Sequence, residues 1–320
     1  MRQFNHRAYA TTTVDQVKQR LVGVSGLRVS EVGLGTAQWG QSTSLEDATE
    51  LLGIFLGSGG TLVDSSPAYG SGAAQAALAE VLRTMKIPRE EILLSSSAGV
   101  DPHSPVGRRV DCSRRSLIAQ LEATLRALNT DHLDLWSVGY WDEKTPPAEV
   151  ADTLDWAVRT GRTRYAGVRD YSGWQLAVTQ PLAPHRIVAT QHEYSLLVRG
   201  IEEELLPAAS HLGVGVIAAA SLARGVLAGR YRTGAPRSAR AEVHAMLGTK
   251  SDTVVDAVDT AAEGLGLPPA VVALAWARDR IGISSTVVGA STPAQLTELL
   301  QATDTQLPRA ITKALDDVSR

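Results

Sequence analysis

Only one cysteine, Cys112, occurs in the 320 residues, so no intramolecular disulfide can form and a reducing cytoplasm fits. Charge of neither sign is in large excess. The formal net charge of −3 gives no electrostatic case for nucleic acid or an anionic membrane. The longest apolar stretch, Leu212–Ala223, meets Arg224 well short of the roughly 20 residues that a membrane helix needs. The opening MRQFNHRAYATTT has no apolar core of a secretory signal. Seven histidines are scattered singly, none paired at ligand spacing beside a carboxylate, so no metal is expected. These absences point to a cytoplasmic protein that acts on small molecules.

What is present is an alternation. Hydrophobic residues make up 44% and charged ones 20%, an ordinary composition for a folded chain. Short β-branched runs take turns with helical periodicity, the pattern of βα units and a parallel sheet. Strands are expected at VSEVGLG from position 30, then over 61–66, 92–97, 133–139, 162–168, 186–194, 214–221 and 284–291. SLEDATELLGIFLGSG, AAQAALAEVLRTM, SRRSLIAQLEATLRALN and PPAEVADTLDWAVRTG read as helices, the last opened by Pro146-Pro147 and closed by Gly161. Eight units without a linker predict a single (β/α)8 TIM barrel over 18–320, behind a loose tail of residues 1–17. RLVGVSGLRVSEVG reads as a β-hairpin that turns at Ser25-Gly26 and plugs the N-terminal end of the barrel. Residues 231–252 are mixed and poorly periodic, and are expected to form a long loop or lid at the C-terminal face. A doubly wound sheet would want a glycine fingerprint at its first turn. The nearest match, Gly70–Gln75, follows the second strand and ends in glutamine.

In a barrel, Asp64 falls at the C-terminal end of the second strand and Tyr69 in the loop after it, on the face that carries chemistry. A tyrosine used as an acid needs help from its neighbours, because a free phenol has a pKa near 10. Without such help, Asp64 caps a turn and Tyr69 packs at the rim. The segment that holds them, GGTLVDSSPAYGSG, resembles the aldo-keto reductase superfamily. So, in order and spacing, do GLRVSEVGLGTAQWG, LDLWSVGYWDEKTPPAEV, RTGRTRYAGVRDYSGWQLA, the run from Gln191 to Tyr231, and WARDRIGISSTVVGASTPAQL. The resemblance implies an NADP(H)-dependent oxidoreductase that interconverts a small carbonyl and its alcohol. In that chemistry a tyrosine protonates the carbonyl oxygen, and a lysine salt-bridged to an aspartate lowers the tyrosine pKa. A histidine shares the carbonyl hydrogen bond.

Carried over position by position, the resemblance supplies Asp64 and Tyr69 but not their partners. Ser97 stands at the lysine position and Gly139 at the histidine position, so the catalytic tetrad is incomplete. In the cofactor set, Gln191, Leu222, Gly225, Gly289, Ser291, Gln295 and Glu298 match. Arg169-Asp170 replaces a serine–asparagine pair that holds the carboxamide, with Asp170 keeping a cofactor-binding place. Ala219 replaces a ring that stacks on nicotinamide, Ala220 a serine, and Leu299 an asparagine. NADP(H) is therefore expected to be held at its adenosine–phosphate end and loosely at its nicotinamide end. Trp39, Tyr140 and Trp141 are candidates to wall the substrate pocket. His103, Arg108 and Arg109 either line the mouth or form an ordinary solvated loop.

Arg169 is the pointed departure. Its guanidinium should reach the vacancy left by lysine and pair with Asp64, making a catalytic group of Asp64, Tyr69 and Arg169. A structural salt bridge to Asp170 or Glu193 is the competing expectation. Two functions follow. One is a slow reductase; the other is a barrel that has left nicotinamide chemistry for non-redox acid–base work on, or plain binding of, a small anion. A divalent ion on Asp64, Asp170 and Glu193 is a variant of the second. Ser95, Ser96 and Ser97 have no histidine at a predictable distance, so a serine nucleophile is not expected.

Overall fold

A computed structural model describes residues 17–320 apart from 103, 106, 184–186 and 237–240. The expected tail lies outside the described residues except for Val17, which is buried and donates its N–H to the Ser58 carbonyl at 2.8 Å. Strands β1 (Gln19–Leu21) and β2 (Arg28–Ser30) pair as an antiparallel hairpin. The strands β3 (Val32–Gly35), β4 (Leu62–Asp64), β5 (Leu93–Ala98), β6 (Leu133–Gly139), β7 (Thr163–Arg169), β8 (Ile187–Glu193), β9 (Gly215–Ala219) and β10 (Ile283–Val288) follow. Each pairs in parallel with the next, and β10 closes the barrel against β3. This is the (β/α)8 barrel that the alternation predicts.

Helices α1 (Leu45–Gly57), α2 (Ala73–Met85), α3 (Arg114–Ala127), α4 (Pro147–Arg159), α5 (Gly173–Thr179) and α6 (Leu205–Leu212) cover the first part of the barrel. The rest is covered by α7 (Ala241–Met246), α8 (Thr249–Leu265), α9 (Pro269–Arg278), α10 (Pro293–Leu300) and α11 (Arg309–Ser319). Their starts are chemical. Ser44 accepts from the Asp47 N–H at 3.0 Å to open α1, and Pro146-Pro147 opens α4. The stretch 231–252 differs from the expected loop. It holds α7 and the first turn of α8, and 237–240 lie outside the described residues. Val243 is the one buried side chain of the six-residue α7, too few to print a period on the sequence.

Alternation along each strand divides the core in two. Outward residues such as Val63, Val138 and Val168 join the apolar shell under the helices. Inward ones, Leu62, Leu135, Ala189, Ile217 and Val287, fill the barrel together with Val22, Leu27 and Val29 of the hairpin. The hairpin is therefore a plug. It fits so closely that a Cβ on Gly23 would lie 2.2 Å from the Gly213 carbonyl oxygen. With one end filled by apolar side chains, the polar inward residues are left for the other.

Candidate active site

At the C-terminal end of the barrel the inward positions include Asp64 on β4, Ser95 and Ser97 on β5, Arg169 on β7 and Gln191 on β8. Arg169 reaches across to β4. Its Nη2 donates to Asp64 Oδ1 in a short ion pair, and Nη1 donates to Oδ2 at 3.5 Å. Ser95, registered beside Asp64, donates its hydroxyl to Oδ1 at 2.8 Å and accepts from Arg169 Nη2 at 3.2 Å. The Tyr69 hydroxyl donates to Oδ2 at 3.4 Å. Both charged side chains are deeply buried, at 2% and 9% exposure for Asp64 and Arg169. One carboxylate thus gathers a guanidinium, a hydroxyl and a phenol. Ser97 does not join this cluster; its hydroxyl pairs with that of Ser66 at 3.0 Å.

Neither competing partner forms an ion pair with Arg169 among the described residues, and the Asp170 carboxylate lies 4.0 Å from His192 Nδ1. Glu193 forms a close ion pair with Arg224. Asp170 adopts a left-handed backbone (φ 54°), which aspartate tolerates, and burial raises its pKa against the pull of Arg169 and Arg224. The divalent-ion variant is corrected by the same contacts: Asp64 faces Arg169, and Glu193 faces Arg224. No three histidine, cysteine, aspartate or glutamate side chains are grouped to hold a metal among the described residues.

Electrostatics set the state of each group. Burial raises the Tyr69 pKa far above the ordinary phenol value; the Asp64 carboxylate adds to the rise, and Arg169 opposes it. Burial weighs against the charge on Arg169, but Asp64 and Tyr69 hold its pKa above the ordinary value. The resting site is therefore a neutral phenol beside an ionised guanidinium that pairs with Asp64. Just outside the barrel, burial pushes the His192 pKa down to about 4, against a hydrogen bond with the Tyr171 backbone. Its Nε2 is buried without a partner among the described residues. A folded pKa below the unfolded value of about 6.5 means that only the unfolded chain takes up this proton on mild acidification. Stability is then complete above pH 6.5 and falls by up to about 3 kcal/mol as pH drops toward 4. His192→Leu should flatten that slope in denaturant titrations run between pH 7 and pH 4.

The remaining expected site residues scatter. Gln191 is buried on the inner face of β8. Leu222 and Gly225 lie in the turn after β9, partly exposed, where Ala220, Ala223 and Arg224 all have positive φ. Beyond β10, Gly289, Gln295 and Glu298 are exposed, and the Ser291 N–H donates to Gln295 Oε1 at 2.9 Å. Trp39 does not wall a pocket. It is fully buried in the outer shell, with its indole N–H lacking a partner among the described residues. Trp141 packs edge-on against Tyr171 and Trp174, with ring centroids 5.5 and 5.1 Å apart, whereas Tyr140 is half exposed at the mouth. Arg108 and Arg109 are exposed, Arg109 donating Nε to the Ser104 carbonyl at 3.1 Å, and His103 lies outside the described residues.

The bridging role of Ser95 is the contact that sequence reasoning missed. Its signal was the strand pairing, since an inward residue registered with Asp64 must share its layer.

With this geometry in hand, the comparisons with known proteins are specific. A family model described as "Aldo/keto reductase family" matches residues 31–320. The uncharacterized oxidoreductase YrpG of Bacillus subtilis (strain 168) is 30% identical over 308 residues, covering 93% of this chain and 94% of that protein. The aldo-keto reductase AFTS1 of Alternaria alternata is 28% identical over 334 residues, covering 93% and 91%.

Proposed function

The chain belongs to the aldo/keto reductase family, and from that membership we propose that it is a nicotinamide-dependent oxidoreductase acting on a small carbonyl or alcohol. In this reading the Arg169 guanidinium takes the place of the missing lysine. One observation carries it: a cation from β7 sits on Asp64 and acts on the Tyr69 phenol, although the usual cation position on β5 is Ser97. The residues fit a dinucleotide unevenly. Gly289 is exposed and has only the Gly35 carbonyl, 4.0 Å from where a Cβ would sit, so a ligand can approach its backbone. The buried Nε of Arg169 has no partner among the described residues, and a ligand oxygen would satisfy it. Ala219 offers no ring to stack upon. When bound, the dinucleotide supplies hydride.

The chain's own groups supply the proton. Tyr69 donates to the carbonyl oxygen; Arg169 stabilises the phenolate left behind; Asp64 and Ser95 fix the guanidinium. Arginine keeps its proton, so it acts by charge alone. The high Tyr69 pKa makes this acid weak and the reaction slow. A second reading, binding of a small anion without hydride transfer, draws on the phenol's hydrogen bond to Asp64 and on the missing ring at Ala219.

Fluorescence titration with NADH and NADPH, followed by turnover of 4-nitrobenzaldehyde, separates the two. The reductase reading expects dinucleotide binding, slow hydride transfer, and a loss of roughly 10²–10⁴-fold in kcat in Tyr69→Phe with binding intact. Absence of dinucleotide binding, with an anion such as phosphate stabilising the protein through Arg169, would replace it by the anion reading.

A further inference from the structure

We propose that Tyr140 is a second hydrogen-bond donor of the site, giving to the substrate carbonyl oxygen the contact that no histidine provides at Gly139. The inference rests on the reductase reading above and adds a residue to it.

Placement comes first. Tyr140 follows directly on Gly139, the last residue of β6, whose Cα partner across the sheet is Arg169. The Tyr140 N–H donates to the Arg169 carbonyl at 3.0 Å, which ties it to the strand that delivers the guanidinium. Gly139 itself leaves room. A Cβ there would stand 3.4 Å from the Ala98 carbonyl oxygen and 4.0 Å from Arg169 Cβ, so nothing on β6 competes with Arg169 for the mouth.

The backbone is the second observation. Tyr140 has φ 65°, in the left-handed region that a bulky residue seldom occupies. A glycine would take this conformation freely. A tyrosine held there against its preference is the kind of local strain that gathers at functional sites.

The side chain is the third. Tyr140 is 49% exposed, although its neighbour Trp141 packs into an aromatic cluster. Among the described residues the Tyr140 ring stacks on no other ring, and its hydroxyl has no protein partner. Burial raises the phenol's pKa; Asp170 and Glu242 raise it further, and Arg169 and Arg224 oppose them. The group is thus a neutral donor at working pH, set among the charges of the mouth. Its hydroxyl is uncommitted, whereas that of Tyr69 is held by Asp64. A hydrogen bond to the developing oxyanion requires only that the proton be shared, so a raised pKa is no obstacle.

Tyr140→Phe removes the hydroxyl and keeps ring and backbone. With NADPH or NADH and 4-nitrobenzaldehyde, kcat should fall roughly 10²–10³-fold, the effect of losing one oxyanion donor, with KM and dinucleotide affinity within about twofold. Tyr140→Gly removes the strain together with the ring. It should lose the same activity while its ligand-free thermal midpoint stays equal or rises, whereas a tyrosine kept for packing would lower it. Full kcat in Tyr140→Phe, beside an active wild type and an inactive Tyr69→Phe, overturns this inference alone. A wild type that neither binds dinucleotide nor transfers hydride overturns the reductase reading and this inference with it.

Discussion

Arg169→Ala is expected to destabilise the chain by about 3–5 kcal/mol near neutral pH, the loss that follows when one partner of a buried ion pair is removed. Asp64 is then left 2% exposed, with the Ser95 hydroxyl and the phenol as its remaining donors. A buried carboxylate without its cation is an uncompensated charge, and that weakens the fold. Asp64→Asn should also be costly, because the amide keeps an oxygen for Arg169 but leaves the buried guanidinium without a counter-charge. The double substitution Asp64→Leu with Arg169→Leu should recover most of the Arg169→Ala loss, since no lone buried charge survives. Urea denaturation of the four proteins measures this. If Arg169→Ala and the double variant unfold at the same midpoint, the ion pair carries no special weight in the barrel.

The same substitution bears on chemistry. Arg169 is the cation that holds the Tyr69 pKa down against burial and Asp64. Its removal should drive the phenol still further from use as an acid. Stability and activity therefore fall together in Arg169→Ala, and Arg169→Lys separates them. A lysine keeps the charge and loses the two-pronged contact, so part of the activity should remain while the fit to Asp64 loosens.

The sequence made the barrel legible because it rests on local, repeated signals. Most strands of the barrel carry β-branched residues, and each has its inward residues two apart, so placing Asp64 at a strand end also placed its face. Arg169 could be aimed at Asp64 for the same reason, as both end strands of one closed sheet. Other features have no local signal. Tyr140, Asp170, Ala220, Ala223 and Arg224 turn the loops after β6, β7 and β9 through positive φ at positions that are not glycine. Those turns decide that Arg224 meets Glu193 and that Tyr140 stays at the rim. Trp39 departs from its expected place because an aromatic residue near the mouth looks the same in sequence whether it lines a cavity or closes the shell behind it.

The largest gain in activity should come from exchanging the two altered positions together, Ser97→Lys with Arg169→Ser. Ser97 points inward on β5, one inward step beyond Ser95, and its hydroxyl has only Ser66 as a partner. A lysine there would extend into the volume that the guanidinium now fills. Ser97→Lys alone should therefore be poorly tolerated, with two cations competing for Asp64 in a buried space. Arg169→Ser alone strands the carboxylate. Together the two changes restore one cation and one small polar residue, so the double variant should be more stable than either single one. A lysine ammonium can pass its proton on, as a guanidinium cannot, and it concentrates its charge near the phenol. Hydride transfer to 4-nitrobenzaldehyde should then rise at least tenfold, toward roughly 10²-fold, with Gly139 still limiting the rate. The pH profile should change as well, with activity falling at a lower pH as the Tyr69 pKa comes down. A double variant that folds and binds dinucleotide yet runs no faster than the wild type would show that the cation's identity does not limit the proton transfer.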